Sequence, residues 1–299
     1  MIEIKNISKR FDDVQALDSL TMTIPDGEIM GIVGTNGAGK STLLRLVCGI
    51  LRPDRGQIMI DGMPVYENRK IKESLFYISD DAAFIPNGTA DSMADFYRML
   101  YPTFNMDVYK VLMESFHMDR KRQIRTYSKG MKKTLMMVLG ISAGTRYLLC
   151  DESFDGLDAV MRQAVKETFA GEMKRRSFTP VIATHNLREI DDICDRIGQL
   201  HEGKILVDQN DKMMAEIHKV QYVMTDREAE ERLLNELKPV LVRRQGSLTM
   251  ITVRGAGEEI MARILQCRPL FCEEIPLNYE EIFISETEAA GYEIKDLIH

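Results

Sequence analysis

The 299-residue chain is 44% hydrophobic and 28% charged, which excludes wholesale disorder and predicts about two domains. The net charge of −7 gives no general attraction for nucleic acid, so no nucleic-acid partner is expected. The five cysteines form no CxxC pair, which argues against a disulfide or zinc framework. The first residues lack the apolar core of a signal peptide, and no charge-free run approaches the roughly 20 residues that span a bilayer. An intracellular protein without a membrane helix is therefore expected.

The first part of the chain alternates short apolar runs with helical patterns. Alternating polar and apolar residues predict strands, turn residues such as Pro25 and Gly27 separate them, and a glycine-rich loop leads into a helix. Strands that alternate with helices predict an α/β fold with a largely parallel sheet. The predicted elements up to residue 60 are strands at 2–7 and 20–24, a turn at 25–28, a strand at 29–33, a helix at 41–50 and a strand at 57–60.

From about residue 71 to 130 the pattern changes, and apolar residues recur at the spacing of a helix. This recurrence predicts a helical insert, whose apolar residues are Met93, Phe96, Tyr97, Leu100, Val108, Val111, Leu112 and Phe116. A long helix is expected to begin after Ser128. The strands expected beyond it lie at 147–150, 180–183, 196–201 and 204–208, the last two forming a hairpin.

A second domain is predicted at 211–299, after a first domain at 1–210. Thr225 and Glu228 form a capping box that predicts the start of a helix, and Asn278 is expected to cap a last helix. The order strand, helix, strand, strand, helix, strand predicts a small ferredoxin-like α+β domain. Its elements are expected at 220–224, 225–237, 240–243, 248–253, 258–266 and 271–275.

The strongest motif is the loop between the strand at 29–33 and the helix that follows it. The loop matches GxxxxGK[ST] in full, and its glycines let several main-chain N–H groups point at a polyphosphate beside a helix N-terminus. Lys40 is expected to reach the β- and γ-phosphates, and Ser41 to bind Mg²⁺. The structural alternative is an ordinary glycine-rich turn. The predicted phosphate-binding residues are Gly34, Thr35, Asn36, Gly37, Ala38, Gly39, Lys40, Ser41 and Thr42.

Two carboxylates, Asp151 and Glu152, follow the apolar strand at 147–150. At this edge of a parallel sheet, Asp151 is predicted to hold Mg²⁺, and Glu152 to act as the base or to orient water for attack on the γ-phosphate. An acidic pair after a strand is also typical of a helix N-cap, so its meaning depends on the phosphate loop. Together the two motifs predict a nucleotide hydrolase.

Four further motifs, in the right order, make the chain resemble the ATP-binding cassette (ABC) family over about residues 1–210. The segment 127–132 (YSKGMK) resembles the family's signature, usually LSGGQ, and 154–158 (FDGLD) resembles its D-loop. His185 resembles the switch histidine, and Phe11 stands where an aromatic ring stacks on adenine. A capping role is the structural alternative for His185.

The resemblance implies a P-loop NTPase fold and an ATPase subunit that binds ATP and Mg²⁺ and works as a homodimer, or as a heterodimer with a related ATPase. Each ATP would lie between the phosphate loop of one chain and Ser128 and Gly130 of the other, and His185 would contact its γ-phosphate. The family also implies a membrane permease on a separate chain, which places this chain in the cytoplasm, peripheral on the inner face of the cell membrane.

The chain departs from the family pattern at three places. The signature has Lys129 and Met131 where glycine and glutamine are usual, and YSKGM resembles ATPases of the bacterial ABC-2 exporter branch, which implies export. Asp80 aligns with the Q-loop glutamine, and its carboxylate is expected to contact Mg²⁺ or water, with Asp81 as a neighbouring candidate. Phe11 replaces the commoner tyrosine and keeps the stacking face.

Two further segments bear on the partner. Phe84, Ile85 and Pro86 either form a docking groove for a permease helix or fill the core of the insert. The segment 276–283 resembles the C-terminal end of ABC-2 exporter ATPases. Two other hypotheses stay open: a soluble ABC-type ATPase that acts on ribosomes or nucleic acid, and a non-hydrolysing nucleotide-dependent regulator.

Overall fold

The computed structural model describes residues 1–187, 193–208 and 217–277, with only the main chain at 207 and 208. The chain forms two compact units, Met1–Ile205 and Leu206–His299. The expected domain boundary at residue 210 and the last helix after Asn278 lie outside the described residues, as does most of the exporter-like segment 276–283.

The elements up to residue 208 largely follow the predicted order. They are β1 (Ile2–Phe11), β2 (Val14–Ile24), β3 (Met30–Val33), α1 (Lys40–Val47), β4 (Arg55–Ile60), β5 (Met63–Pro64), α2 (Arg69–Lys72), β6 (Leu75–Ile78), α3 (Ala90–Leu100), α4 (Met106–Ser115), a 3₁₀ turn (Ile124–Thr126), α5 (Lys129–Ser142), β7 (Tyr147–Asp151), α6 (Ala159–Arg175), β8 (Thr179–Thr184), β9 (Arg196–His201) and β10 (Lys204–Asp208).

An antiparallel sheet in the order β2-β1-β4-β5 forms one layer of the first unit. Its register places Ile2 opposite Ile24 and Ile4 opposite Met22, and all four side chains are buried. Strand β1 continues beyond the predicted end at residue 7, because its hairpin with β2 keeps the two strands paired as far as Phe11. The hairpin therefore carries Phe11 to its tip.

The second sheet has the order β10-β9-β3-β8-β7-β6 and confirms the predicted parallel α/β fold. Strand β3 is parallel to β8 and β9, and β7 is parallel to β6 and β8. Every residue of β3, β7 and β8 is buried, as expected for parallel strands covered on both faces. The carboxyl ends of these three neighbouring strands share one edge, so the loops that follow them come together there.

The predicted helical insert at 71–130 is wrong in its first part. Leu75–Ile78 is strand β6 of the parallel sheet, because this apolar run pairs with β7 and Phe76 packs against Tyr97 and Tyr101, with ring centres 5.0 and 5.3 Å away. Helices α3 and α4 supply the helical part. Met93 and Leu112 are buried there. Three other apolar residues of the predicted pattern face solvent instead: Phe96, Leu100 and Val111 expose 38%, 52% and 60% of their surface.

The second unit has the predicted order of elements. They are β11 (Ile217–Val223), α7 (Arg227–Leu237), β12 (Leu241–Gln245), β13 (Leu248–Arg254), α8 (Gly257–Gln266) and β14 (Phe271–Ile275). The sheet order β12-β13-β11-β14, with antiparallel neighbours, is that of a ferredoxin-like domain. Its core contains Val220, Tyr222, Leu233, Ile251, Val253, Ile260 and Ile264.

The predicted capping box at Thr225 and Glu228 is wrong. The N-cap of helix α7 is Asp226, one residue later than the predicted Thr225, and the Asp226 carboxylate accepts hydrogen bonds from the N–H groups of Glu228 and Ala229 at 3.0 and 3.1 Å. A carboxylate at this place satisfies two free N–H groups and also favours the positive end of the helix dipole, so it displaces the hydroxyl of Thr225 as the cap.

Across the described ranges, no helix is both long and apolar enough to cross a membrane.

Candidate nucleotide-binding site

The phosphate loop connects β3 to α1 at the carboxyl edge of the parallel sheet. Gly39 has φ +105°, a left-handed conformation that favours glycine, and a Cβ there would lie 2.5 Å from the main-chain oxygen of Ala16. A Cβ at Gly34 would overlap the main-chain oxygen of Leu200. The loop thus needs glycine at both positions, and it delivers Lys40 as the first residue of α1.

Lys40 is buried, with 5% of its surface exposed, and its ammonium group points back into the loop. Its Nζ donates to the main-chain oxygens of Gly34 and Thr35, at 2.8 and 3.1 Å, and lies 3.3 Å from Oε1 of Glu152. A buried ammonium group requires such oxygen partners. The arrangement places one positive charge between the phosphate loop and the end of β7.

Ser41 and Asp151 face each other across the same edge. The Ser41 hydroxyl donates to Oδ1 of Asp151 at 2.8 Å, and the Tyr77 hydroxyl donates to Oδ2 of the same carboxylate, also at 2.8 Å. Burial, and then the neighbouring Asp151 carboxylate, raise the pKa of Tyr77 above its ordinary value, so its hydroxyl stays a donor. Two hard oxygen donors, a hydroxyl and a carboxylate, suit Mg²⁺.

Glu152 and His185 meet beside Lys40. His185 Nδ1 lies 2.9 Å from Glu152 Oε2, and the Glu152 main-chain N–H donates to Ala183 O at 2.9 Å. Glu152 has φ +48°, which is uncommon for a residue other than glycine. Its carboxylate therefore has one oxygen near the ammonium of Lys40 and the other near the imidazole of His185.

Asp80 is connected to Glu152 through Lys133. Its Oδ1 lies 3.1 Å from the Nζ of Lys133, a buried lysine of α5 that also donates to the main-chain oxygen of Glu152 at 2.5 Å. In the part of the chain that the structure describes, no hydrogen bond or ion pair joins Asp80 to Ser41 or Asp151. The expected contact of Asp80 with Mg²⁺ stays a prediction.

Ser128 and Gly130 lie at the start of α5, with Ser128 as its N-cap, as predicted. Ser128 Oγ accepts from the Met131 N–H at 3.2 Å, and a Cβ at Gly130 would lie 3.2 Å from the main-chain oxygen of Gly156. Both residues line a cavity of about 410 Å³ bounded by the signature and the D-loop. Among the described contacts, none joins Ser128 or Gly130 to the chain's own phosphate loop.

The remaining predicted residues surround this edge. Phe11 is 43% exposed, and the Lys9 ammonium lies over its ring, 5.4 Å from the ring centre. Lys129 is largely exposed, and a hydrogen bond with Asp155 at 3.2 Å raises its pKa. Ile85 is 38% exposed, which favours the docking hypothesis for 84–86 over the hypothesis of a core role.

Sequence reasoning missed Tyr77 and Lys133. Both were visible as polar groups near predicted motifs: Tyr77 lies three residues before Asp80, and Lys133 lies five residues after Ser128. Neither belongs to a motif, and their role depends on contacts with residues far along the chain. No local signal marks Lys133 as buried, because it stands between Lys132 and Thr134 in the helix sequence.

The glycine loop, its lysine and the hydroxyl–carboxylate pair on a parallel sheet define a P-loop nucleotide-binding protein. Residues 17–155 match the family model described as ABC transporter. The chain is 31% identical over 287 residues to the ABC transporter ATP-binding protein YtrB of Bacillus subtilis (strain 168), covering 96% of this chain and 98% of that protein. The chain thus belongs to the ABC transporter ATP-binding proteins.

Solved structures agree with this assignment. One described as the structure of an ATP-binding subunit of an ABC transporter is 25% identical, with a TM-score of 0.65, and the match covers 72% of this chain and 91% of that one. A dimeric ATP-binding cassette bound to ADP and Pi is 20% identical and shares the fold, with a TM-score of 0.62 over 70% of this chain and 98% of that one. The chain is an ATP-binding cassette ATPase, the ATP-binding subunit of an ABC transporter.

Proposed function

We propose that this subunit hydrolyses ATP at Glu152 to power export through a membrane permease carried on a separate chain. The observation that carries the proposal is the position of the Glu152 carboxylate, 3.3 Å from Lys40 Nζ and 2.9 Å from His185 Nδ1, beside Ser41 and Asp151. A carboxylate held at the phosphate loop by two nitrogen groups is placed to act on a water molecule next to a γ-phosphate.

The roles of the other residues follow from their chemistry. Main-chain N–H groups of 34–42 and the N-terminus of α1 bind the phosphates, and Lys40 offsets the charge of the β- and γ-phosphates. Ser41 and Asp151 would hold Mg²⁺, which supplies further charge neutralisation when bound. The water oxygen bonds to the γ-phosphorus as Glu152 accepts one of its protons. The bond from the γ-phosphorus to the oxygen that bridges it to the β-phosphorus breaks, and ADP and phosphate leave. His185 contacts the γ-phosphate.

A dimer completes the site in this proposal. Ser128 caps a helix of 14 residues, whose N-terminus favours an anion, and it lies at a cavity outside the chain's own phosphate loop. A second copy, or a related ATPase, would bring Ser128 and Gly130 to the γ-phosphate of the first chain. ATP then joins the two chains, and loss of the γ-phosphate separates them.

The partner and direction rest on the signature and on the exposed segment 84–86. The exposed Ile85 and its neighbours Phe84 and Pro86 offer an apolar docking surface for a permease segment, which would keep the subunit at the inner face of the membrane. The YSKGM form of the signature resembles exporter ATPases, so we propose export.

Three variants test the proposal by release of phosphate and by light scattering with ATP. Lys40→Ala should lose ATP binding and turnover. Glu152→Gln should bind ATP, turn over at least about 100-fold more slowly and accumulate as an ATP-bound dimer. The control Glu167→Gln, on the exposed face of α6, should match the unchanged protein. Normal ATP turnover by Glu152→Gln would contradict the proposal. A Glu152→Gln protein that stays monomeric in the presence of ATP would contradict it as well.

The permease and the direction need a separate measurement. Pull-down from solubilised membranes should recover a membrane-spanning chain with the unchanged subunit, and less of it with Ile85→Asp. The recovered complex is reconstituted into vesicles and given ATP. For an exporter, a solute should then move across the membrane, away from the side that carries this subunit. Recovery without any membrane chain would contradict the partner, and ATP-driven movement toward the subunit would contradict export.

A further inference from the structure

Lys133 lies in the second turn of α5 and is an unusual residue for its environment. Only 6% of the residue is exposed, and its neighbours in the helix from Thr134 to Ser142 are also buried. A buried ammonium group is costly unless oxygen atoms surround it. Its position therefore calls for partners that require a positive charge.

Three oxygen atoms surround the Lys133 ammonium. The main-chain oxygen of Glu152 is 2.5 Å away, Asp80 Oδ1 is 3.1 Å away, and Asp155 Oδ2 is 3.6 Å away. The two carboxylates balance the charge, whereas the carbonyl of Glu152 receives a charge-assisted hydrogen bond. One side chain thus joins the segment that contains Asp80, the D-loop and the main chain of Glu152.

The bond to Glu152 matters because the main chain there is strained. A φ of +48° places Glu152 in the left-handed region, and such a conformation persists only where surrounding contacts hold it. The N–H of Glu152 is held by Ala183 O at 2.9 Å, and its carbonyl is held by Lys133. Together these two bonds fix the peptide groups on both sides of its Cα, and hence the direction of its side chain.

We propose that Lys133 is a positioning residue for ATP hydrolysis: it holds the main chain of Glu152 so that the carboxylate faces Lys40 and His185, with Asp80 as its counter-charge. The proposal rests on the proposed role of Glu152. Lys133 acts through Glu152, since none of its three oxygen partners is a residue of the phosphate loop. Asp80 in this proposal neutralises Lys133 and does not bind Mg²⁺.

The test compares turnover and ATP affinity in the full-length protein. Lys133→Met keeps the apolar stem and removes the charge, and it should lower kcat about 10- to 100-fold because the carboxylate is misplaced. KM for ATP should stay within about twofold, since the phosphate loop is untouched. Lys133→Arg, which keeps a charged donor, should recover part of kcat. The control Lys110→Met removes an exposed lysine that pairs with Asp107 on α4, and should change neither value.

Asp80→Asn is a second variant. The Asp80 side chain is 56% exposed, so the substitution should not impair folding. It should lower kcat in the same sense as Lys133→Met, and the double variant should lose little more than Lys133→Met alone. The Mg²⁺ concentration for half-maximal turnover should stay within about twofold in Asp80→Asn. If Asp80→Asn instead needs about tenfold more Mg²⁺ for half-maximal turnover, Asp80 binds the metal, and its role as the counter-charge of Lys133 is wrong.

The outcomes separate this inference from the proposed function. If Glu152→Gln is inactive while folded Lys133→Met keeps a normal kcat, the positioning role is wrong and the role of Glu152 stands. If Glu152→Gln turns over normally, the proposed function fails first. If Lys133→Met does not fold, Asp80→Asn decides: a normal kcat in that variant contradicts the proposal.

Discussion

Ser41 and Asp151 are 110 residues apart in the chain, and the Ser41 hydroxyl donates a hydrogen bond of 2.8 Å to Oδ1 of Asp151. The contact joins the first turn of α1 to the end of β7, because β3 and β7 lie in one parallel sheet with β8 between them. The second carboxylate oxygen is bound by Tyr77, so the Asp151 side chain is held from both sides. The two hydrogen bonds therefore fix the orientation of the Asp151 carboxylate beside the first turn of α1.

Removal of the Tyr77 hydroxyl should weaken the proposed metal site. In Tyr77→Phe, Asp151 keeps the bond to Ser41 and loses the bond that orients its other oxygen. Loss of an orienting partner raises the Mg²⁺ concentration for half-maximal turnover by about tenfold. A magnesium titration of ATP turnover measures this. Tyr97→Phe removes a hydroxyl from the aromatic group around Phe76 and should leave the titration unchanged; an unchanged titration in Tyr77→Phe would contradict the expectation.

A methyl group at Gly34 should destabilise the cassette. Because its Cβ would overlap the carbonyl oxygen of Leu200, the main chain of β9 or of the loop must move, at a cost of about 2–3 kcal/mol. Denaturant unfolding of Gly34→Ala measures the loss. Gly171→Ala is the matched control: no atom lies within 4 Å of its Cβ, and it lies inside α6, so it should stabilise by about 0.5–1 kcal/mol. Equal stability of the two variants would contradict the argument.

Low pH should remove the stabilisation that the Asp54 carboxylate gives to the folded protein. The Lys9 ammonium and then the Arg10 main-chain N–H, each 2.7 Å from the carboxylate, lower the pKa of Asp54 below its ordinary value. A carboxyl group whose pKa is lowered on folding stabilises the protein above its unfolded pKa of about 4, and this stability is lost as the pH falls through the folded pKa.

Asp54→Asn should therefore lower the unfolding temperature at pH 7 by about 2 °C and have no effect at a pH below the folded pKa. Thermal unfolding across this pH range is the measurement. Asp95→Asn, at an exposed pair with Arg98 on α3, should show a smaller difference at pH 7. A difference between Asp54→Asn and the unchanged protein that persists undiminished in acid would rule out this linkage.

The cap of α7 offers a test in the second unit. Asp226→Ala should destabilise this helix by about 1 kcal/mol, because two N–H groups lose their acceptor. Hydrogen exchange of the amides at 228 and 229 should accelerate accordingly. Thr225→Ala should leave exchange nearly unchanged, since Thr225 precedes the cap. Faster exchange in Thr225→Ala than in Asp226→Ala would restore the capping box.

Local sequence patterns were sufficient for most elements and for the phosphate loop. A strand, a glycine-rich turn and a helix follow one another within 29–50, so the residues that form the loop are neighbours in the chain. The order of elements in the second unit follows from the same local signals. Apolar spacing misassigned 75–78, because a short buried strand and a buried helical segment both appear as apolar runs.

The contacts that orient the site came from distant parts of the chain. Tyr77 binds Asp151 across 74 residues, and Lys133 binds the strained main chain of Glu152 across 19. Asp80 pairs with Lys133, a contact that alignment with the Q-loop did not predict. Motifs record which chemical groups are present, whereas the direction of a carboxylate depends on which strands are neighbours in the sheet and which side chains are buried between them.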